Sequence, residues 1–201
     1  MDESSSSKQT KNTMPTKDTY YNCNELENST ISLDLTNQII TSISSNLEDL
    51  IIDNLNDIYK LYVKSDIFFL NHIPQISIED YIKRILKYTQ MNISSLILAI
   101  IYIDKMCEKN SYILCFNNIH RLILSSCLLS IKFNEDITFH NDLYARISGE
   151  SVENVNKLEY ELYVLLNFSL FVDYNYYEKY FEYFSQYSKY NSLEKNINKL
   201  D

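Results

Sequence analysis

The stretch NIHRLILSSCLLSIKFNED, residues 118–136, decides the fold, because apolar residues dominate it from Leu122 to Ile131 before Lys132 and Phe133 follow. A helix that is apolar on nearly all its faces is buried inside a protein. The segment SSLILAIIYIDKMCEK, residues 94–109, has the same character and predicts a second central helix. Two such helices indicate a helical core.

Polar residues mark where further helices begin and end. Ser77 and Ser151 are favourable N-cap residues, Gly149 predicts a break, and Asp173 precedes the last helix. Between these positions apolar residues recur at steps of three and four, which places them on one helical face. Besides the two central helices, the predicted helices cover residues 35–62, 77–89, 141–147, 151–168 and 173–187.

The first and last of these helices carry different stripes. The first is aliphatic and the last is aromatic, and an aromatic stripe is more often core or docking surface than a ligand site. The aliphatic stripe comprises Ile39, Ile43, Leu47, Leu50, Ile51, Leu55 and Ile58, and the aromatic stripe comprises Tyr177, Tyr180, Phe181, Phe184 and Tyr187.

Composition supports an all-α domain with polar ends. The 201 residues include one glycine and two prolines, too few for the turns of an all-β fold or for a glycine-rich phosphate cradle. Residues 1–30 are polar and predict a disordered tail. The folded domain is expected over residues 31–187, and residues 188–201 are expected to form a flexible tail.

Charge and cysteine usage exclude several classes of protein. The formal net charge of −9 would repel a phosphate backbone, so nucleic acid is not an expected partner. The four cysteines and three histidines lack zinc-ligand spacing, and no metal or other cofactor is expected. The absence of a secretory signal and of a membrane-length apolar run predicts an intracellular protein of the nucleus or cytoplasm, with no membrane partner.

Two charges lie against this apolar background. Lys132 ends the run from Leu122 to Ile131, and Glu159 lies inside VNKLEYELYVLL, residues 155–166, which is also predicted to be buried. Each alone is typical of a charge at a helix end or on a helix surface. Together, on neighbouring helices, they suggest a pair that grips backbone groups of another protein.

The ordered segments resemble the cyclin box of the P/U-type, phosphate-signalling cyclins. The resemblance covers about residues 35–187, and it rests on four segments in family order. These are ISIEDYIKRILKYT (76–89), LAIIYIDK (98–105), NIHRLILSSCLLSIKFNED (118–136) and NKLEYELYVLLNFSL (156–170). It implies one five-helix cyclin box between a leading and a trailing helix, with no room for a second repeat.

The resemblance also implies a site and a partner. In cyclins a lysine and a glutamate bind near the regulatory helix of a cyclin-dependent kinase, and the matching positions are Lys132 and Glu159. An ammonium donates to carbonyls and a carboxylate accepts from amides, so one backbone segment can satisfy both. The apolar kinase contacts match Phe133, Tyr163, Phe168 and Leu170.

Three features differ from the family pattern. Lys105 stands where the family usually has an arginine. Ser148-Gly149 stands where it commonly has two glycines, and Glu150-Ser151 follows where it has an apolar residue. The hydrophobic patch with which cell-cycle cyclins dock substrates is not recognisable. The helix that roughly corresponds to the patch carries the apolar residues Tyr81, Ile82 and Ile85.

The leading hypothesis is therefore a non-enzymatic subunit that binds and activates a cyclin-dependent kinase. A helical adaptor that uses the same fold without activating a kinase is the alternative. A cyclin-fold transcription-factor module is disfavoured by the acidic charge. An enzyme is disfavoured because no nucleophile, metal set or phosphate cradle can be assembled, and His120 is interpreted as a space-filling residue.

Overall fold

The structure, a computed structural model, describes residues 33–56 and 66–197, with side-chain surroundings for 34–55 and 66–186. Within these ranges it contains helices and no strand. The predicted all-α fold is confirmed. The helices are α1 (Leu33–Asp53), α2 (Ile78–Thr89), α3 (Ile93–Asn110), α4 (Ile119–Asn134), α5 (Asn141–Ser148), α6 (Val152–Leu165) and α7 (Tyr174–Ile197).

The two most apolar segments form the centre, as predicted. Helices α3 and α4 pack against each other more extensively than any other pair of helices described. Every residue of α4 from Leu122 to Ile131 is buried, and α3 is buried from Ser95 to Ile103. Ser130 stays within this apolar contact because its hydroxyl donates to the carbonyl of Ser95 at 2.7 Å.

The remaining helices surround this centre. Helix α6 packs on α4, while α1 packs on α2 and α7. The α1 stripe points inward at Ile39, Ile43, Leu47 and Ile51, which are at most 2 % exposed. Leu50 and Leu55 were predicted on the same stripe, but they are 43 % and 46 % exposed. Leu50 therefore lies outside the buried face of α1, and Leu55 lies beyond the end of α1 in a 3₁₀ turn.

The predicted helix signals are confirmed at most boundaries. The Ser77 hydroxyl accepts from the Asp80 amide at 3.0 Å, and the Ser151 hydroxyl accepts from the Asn154 amide at 3.1 Å. Gly149 ends α5 with φ +77°, a left-handed conformation that glycine adopts without strain. The Asp173 carboxylate accepts from the amide of Asn175 at 2.9 Å.

Some boundaries differ from the sequence prediction. The first helix is regular only to Asp53, followed by a 3₁₀ turn over Asn54–Asn56, and Ile58 lies outside the described residues. Helix α6 ends at Leu165 rather than at residue 168. Helix α7 continues to Ile197, past the boundary expected at residue 187. The tail expected over residues 1–30 lies outside the described residues.

Candidate functional site: the C-terminal end of helix α4

The two predicted charges meet at the surface where α4 ends beside α6. The Lys132 ammonium lies 2.7 Å from Oε1 and 2.9 Å from Oε2 of Glu159. We call this contact the outer pair. Its side chains are 35 % and 21 % exposed, so neither charge is deeply buried.

Both helices were predicted to be buried, and for α6 the structure shows burial on one face. Only Val155, Leu158 and Leu162 of this helix are buried, because α6 packs its inner face on α4 and α5 and leaves the other faces in solvent. Glu159 therefore stands at the border between packed and exposed faces. A charge at such a border keeps part of its hydration, so it does not incur the full free-energy penalty of burying a charge.

A third polar residue completes the cluster. The side-chain amide of Asn141, the first residue of α5, donates to Glu159 Oε2 at 2.8 Å and to Asn156 Oδ1 at 2.6 Å. Sequence reasoning did not select Asn141. Its only sequence signal is a position at a predicted helix start, which many asparagines share.

An apolar groove adjoins the outer pair. It has a volume of about 320 Å³ and places three of the predicted apolar contact residues, Phe133, Tyr163 and Leu170, around the two charges. Phe133 is 55 % exposed, and Tyr160, which sequence reasoning did not select, is 64 % exposed. The other lining residues are Leu129 and Asn156.

Phe168 reaches the same surface through a left-handed turn at the end of α6. Asn167 and Phe168 have φ values of +54° and +57°, and the Phe168 amide donates to the carbonyl of Tyr163 at 3.0 Å. The Phe168 ring meets the Tyr163 ring edge to face, with centroids 4.9 Å apart. Left-handed backbone is unfavourable for a bulky residue, so the turn stores strain while it holds a phenylalanine ring at the surface.

Helix α3 holds the chain that follows this turn. The Tyr102 hydroxyl donates to the carbonyl of Leu170 at 3.0 Å, and the Lys105 ammonium donates to the carbonyl of Phe171 at 3.2 Å. Lys105 also lies 5.6 Å from the ring centroid of Tyr176. Burial lowers the pKa of Lys105, and the nearby positive charge of Lys109 lowers it further by a smaller amount. Lys105 therefore anchors backbone at this end of the molecule.

A second ion pair forms at the opposite end of α4. Arg121 Nη2 lies 2.7 Å from Glu150 Oε1, and Arg121 Nη1 donates to the carbonyl of Ile67 at 2.7 Å. The Asn154 side chain donates to Glu150 Oε2 at 3.1 Å. We call the Arg121–Glu150 contact the inner pair, since its side chains are only 18 % and 15 % exposed. Glu150, at a position where the family usually has an apolar residue, thus has a structural partner.

His120 fills space beside the inner pair, in agreement with its interpretation from the sequence. It is 6 % exposed, and its Nε2 lies 3.0 Å from the carbonyl oxygen of Ile76. A carbonyl only accepts, so Nε2 carries the hydrogen, and Nδ1 is buried with no hydrogen-bond partner in the part of the chain that the structure describes. Burial lowers the pKa of His120, against the opposing effect of the Ile76 carbonyl.

The helix on which cell-cycle cyclins have a docking patch, a patch that the sequence did not show, buries its three apolar residues. Tyr81, Ile82 and Ile85 are 5 %, 0 % and 0 % exposed, so they belong to the core. Among the described residues no cluster of histidine, cysteine and acidic side chains is arranged to hold a metal ion. Within the same ranges, no helix is both long and apolar enough to span a bilayer.

Comparison with known proteins assigns this helical fold to a class. The family model for cyclins matches residues 2–170, and the chain belongs to the cyclin family. The resemblance predicted from residues 35–187 is thereby confirmed.

Curated relatives narrow the class to the P/U-type cyclins. Cyclin-U2-2 of Arabidopsis thaliana is 34 % identical over 116 residues, covering 57 % of this chain and 50 % of the relative. Cyclin-U2-1 of the same plant is 30 % identical over 143 residues, covering 70 % and 64 %. The PHO85 cyclin-like protein psl1 of Schizosaccharomyces pombe is 32 % identical over 108 residues, covering 53 % and 44 %. The chain thus matches about half to two thirds of these relatives' lengths.

Proposed function

We propose that this protein is a regulatory subunit that binds and activates a cyclin-dependent protein kinase through the C-terminal end of α4. The observation that carries the proposal is the outer pair at the rim of an exposed apolar groove. Membership of the cyclin family and the name of the Schizosaccharomyces pombe relative support a kinase as the partner.

The outer pair retains hydrogen-bonding capacity for a partner. An ammonium has three N–H groups and a carboxylate has about four acceptor positions. Among the described residues, Lys132 contacts the two oxygens of Glu159, and Glu159 contacts Lys132 and Asn141. At least one donor and one acceptor remain, and a single extended or helix-end backbone segment of the kinase presents the complementary carbonyl and amide.

The aromatic rings around the pair supply the apolar part of such an interface. Phe133 and Tyr160 line the groove and are 55 % and 64 % exposed, and Phe168, whose ring contacts Tyr163 of the groove, is 57 % exposed. Protein interfaces concentrate aromatic residues at their centre, where burial excludes water from neighbouring hydrogen bonds. Seating a kinase here would reposition its regulatory helix and complete its active site.

The decisive experiment is a binding and activity assay with a panel of recombinant cyclin-dependent kinases. Wild type is expected to form a complex with at least one kinase and to raise its phosphorylation rate. The Glu159→Ala variant is expected to weaken the complex by about 3 kcal/mol, because the partner's amide loses its acceptor and Lys132 is left against an apolar surface.

The Lys83→Ala variant is a matched control, since it removes a lysine that also pairs with a glutamate, Glu79 at 2.6 Å, but on α2. It is expected to bind as wild type does. Retention of the kinase at wild-type strength by a Lys132→Ala, Glu159→Ala double variant would exclude this surface. A stable complex without a gain in phosphorylation would favour the adaptor over the activator.

A further inference from the structure

We propose that Asn141 is the positioning residue of this surface: it orients the Glu159 carboxylate for the partner's backbone amide. The inference rests on the proposed function and adds a residue to it. The juxtaposition that carries it is the Asn141 amide donating to both Glu159 and Asn156 at the rim of the groove.

Lys132 and Asn141 both contact the Glu159 carboxylate, and they differ in flexibility. Lys132 contacts both carboxylate oxygens, but its ammonium is at the end of a flexible four-carbon side chain. A carboxylate held only by Lys132 would move with it when Lys132 turns to a carbonyl of the partner. Asn141 has a short side chain and sits on α5, so its hydrogen bond ties the carboxylate to a separate, fixed helix.

The hydrogen bonds of Asn141 leave one of its own polar atoms unsatisfied among the described residues. Asn141 directs both hydrogens of its amide toward acceptors, and its own Oδ1 is buried with no hydrogen-bond partner among the described residues. An orphaned buried acceptor is unfavourable and calls for an explanation. Turning the amide over would place Oδ1 against the Glu159 carboxylate, which repels it. The orphaned oxygen is therefore the consequence of keeping a donor on Glu159.

The inner pair also has an asparagine beside its glutamate. Asn154 makes the same kind of contact with the inner pair, donating to Glu150 Oε2 at 3.1 Å. That carboxylate faces Arg121 and the protein's own chain, whereas Glu159 borders the open groove. The two asparagines thus provide matched substitutions, one beside a partner surface and one beside a closed contact.

The test is a double-mutant cycle measured against a recombinant cyclin-dependent kinase from the panel that binds wild type. Isothermal titration calorimetry gives the Kd, and thermal unfolding gives the Tm of each free variant. Asn141→Ala is expected to weaken binding about tenfold, the effect of one hydrogen bond to a charged group. In a Glu159→Ala background the same change is expected to alter the Kd less than twofold, because its target is gone.

Asn154→Ala is the control, with a lowered Tm expected and a Kd within twofold of wild type. A tenfold loss from Asn141→Ala in both backgrounds would mean that Asn141 acts independently of Glu159, and an unchanged Kd would mean that it does not act at all. Either result overturns the inference alone. Failure of wild type to bind every kinase of the panel overturns both the inference and the proposed function. Asn141→Ser, a smaller structural change, repeats the measurement if the alanine variant does not fold.

Discussion

The two ends of helix α4 carry the same chemistry and use it differently. At each end a cation on α4 meets a glutamate, and an asparagine donates to the second oxygen of that glutamate. The inner pair is closed, since Arg121 also donates a hydrogen bond to the carbonyl of Ile67. The outer pair is open, because Lys132 and Glu159 line a groove flanked by exposed rings.

This difference shows that an ion pair is assigned a role by its surroundings rather than by its residue types. A closed pair, which is largely buried and donates to other groups of the same chain, holds helices in place. An open pair with spare donors and acceptors beside exposed apolar surface is suited to a partner. The comparison predicts that substitutions at the inner end change stability and that substitutions at the outer end change binding.

Arg121→Ala is expected to have the largest effect on folding. It leaves Glu150 largely buried without its cation and the Ile67 carbonyl without its donor, so the free energy of unfolding should fall by about 3 kcal/mol. Urea denaturation measures the change. Lys157→Ala, which removes an exposed pair with Glu153 at 2.6 Å, is the control and should leave the midpoint unchanged. A midpoint equally unaffected by Arg121→Ala would contradict the structural role of the inner pair.

Exchanging the charges of the outer pair, with Lys132→Glu and Glu159→Lys together, separates folding from binding. The two charges still attract, so the free energy of unfolding should stay within about 1 kcal/mol of wild type. Binding to a kinase should weaken by about 2 kcal/mol or more, because the donor and the acceptor now face the wrong backbone groups. Calorimetric titration gives the binding free energy, and urea denaturation of the same preparation gives the free energy of unfolding. Unchanged affinity would contradict the assignment of Lys132 as the donor and Glu159 as the acceptor.

Two substitutions of Phe168 separate the contribution of its exposed ring to binding from the contribution of its backbone strain to stability. Phe168→Ala and Phe168→Gly both remove the exposed ring, so each should weaken kinase binding by about 1 kcal/mol. Glycine adopts φ +57° without strain, whereas alanine is strained there, so the glycine variant should be more stable than the alanine variant by about 1 kcal/mol. Equal unfolding midpoints would show that the left-handed turn carries no strain.

His120 makes the inner end sensitive to pH, and this is the smallest expected effect. Burial lowers the pKa of His120 in the folded protein, so as pH falls through about 6.5 the unfolded chain takes up a proton that the folded chain resists. The free energy of unfolding should therefore be lower at pH 5.5 than at pH 7.0. His120→Gln, which keeps a donor for the Ile76 carbonyl, should show a smaller difference in urea midpoint between the two pH values. An equal difference would assign the effect to other groups.

Much of the fold could be predicted from periodicity and capping residues. Ser77, Ser151 and Gly149 act within one helical turn, so their effect does not depend on the rest of the protein, and they marked helix boundaries correctly. The burial of α4 followed from its apolar run. The end of α1 and the length of α7 were less predictable, because where a helix stops depends on what packs beside it.

The site was predictable in part. The charge pattern and the family resemblance singled out Lys132 and Glu159, but their direct contact, 27 residues apart in the chain, depends on how α6 lies across α4. Asn141 and Glu150 were missed for the same reason, since each acquires its role from a neighbour on another helix. The buried state of Tyr81, Ile82 and Ile85 also required the packed helices.

By itself, the sequence determined that this protein is helical, which two segments lie at its centre, and which family it resembles, because these properties depend on local spacing and ordered motifs. Only the tertiary structure decided which ion pair is closed and which is open. The packing of helices that are distant in the sequence sets the solvent access and the hydrogen-bond partners of each ion pair. Those two properties decide whether an ion pair stabilises the fold or is available to a partner.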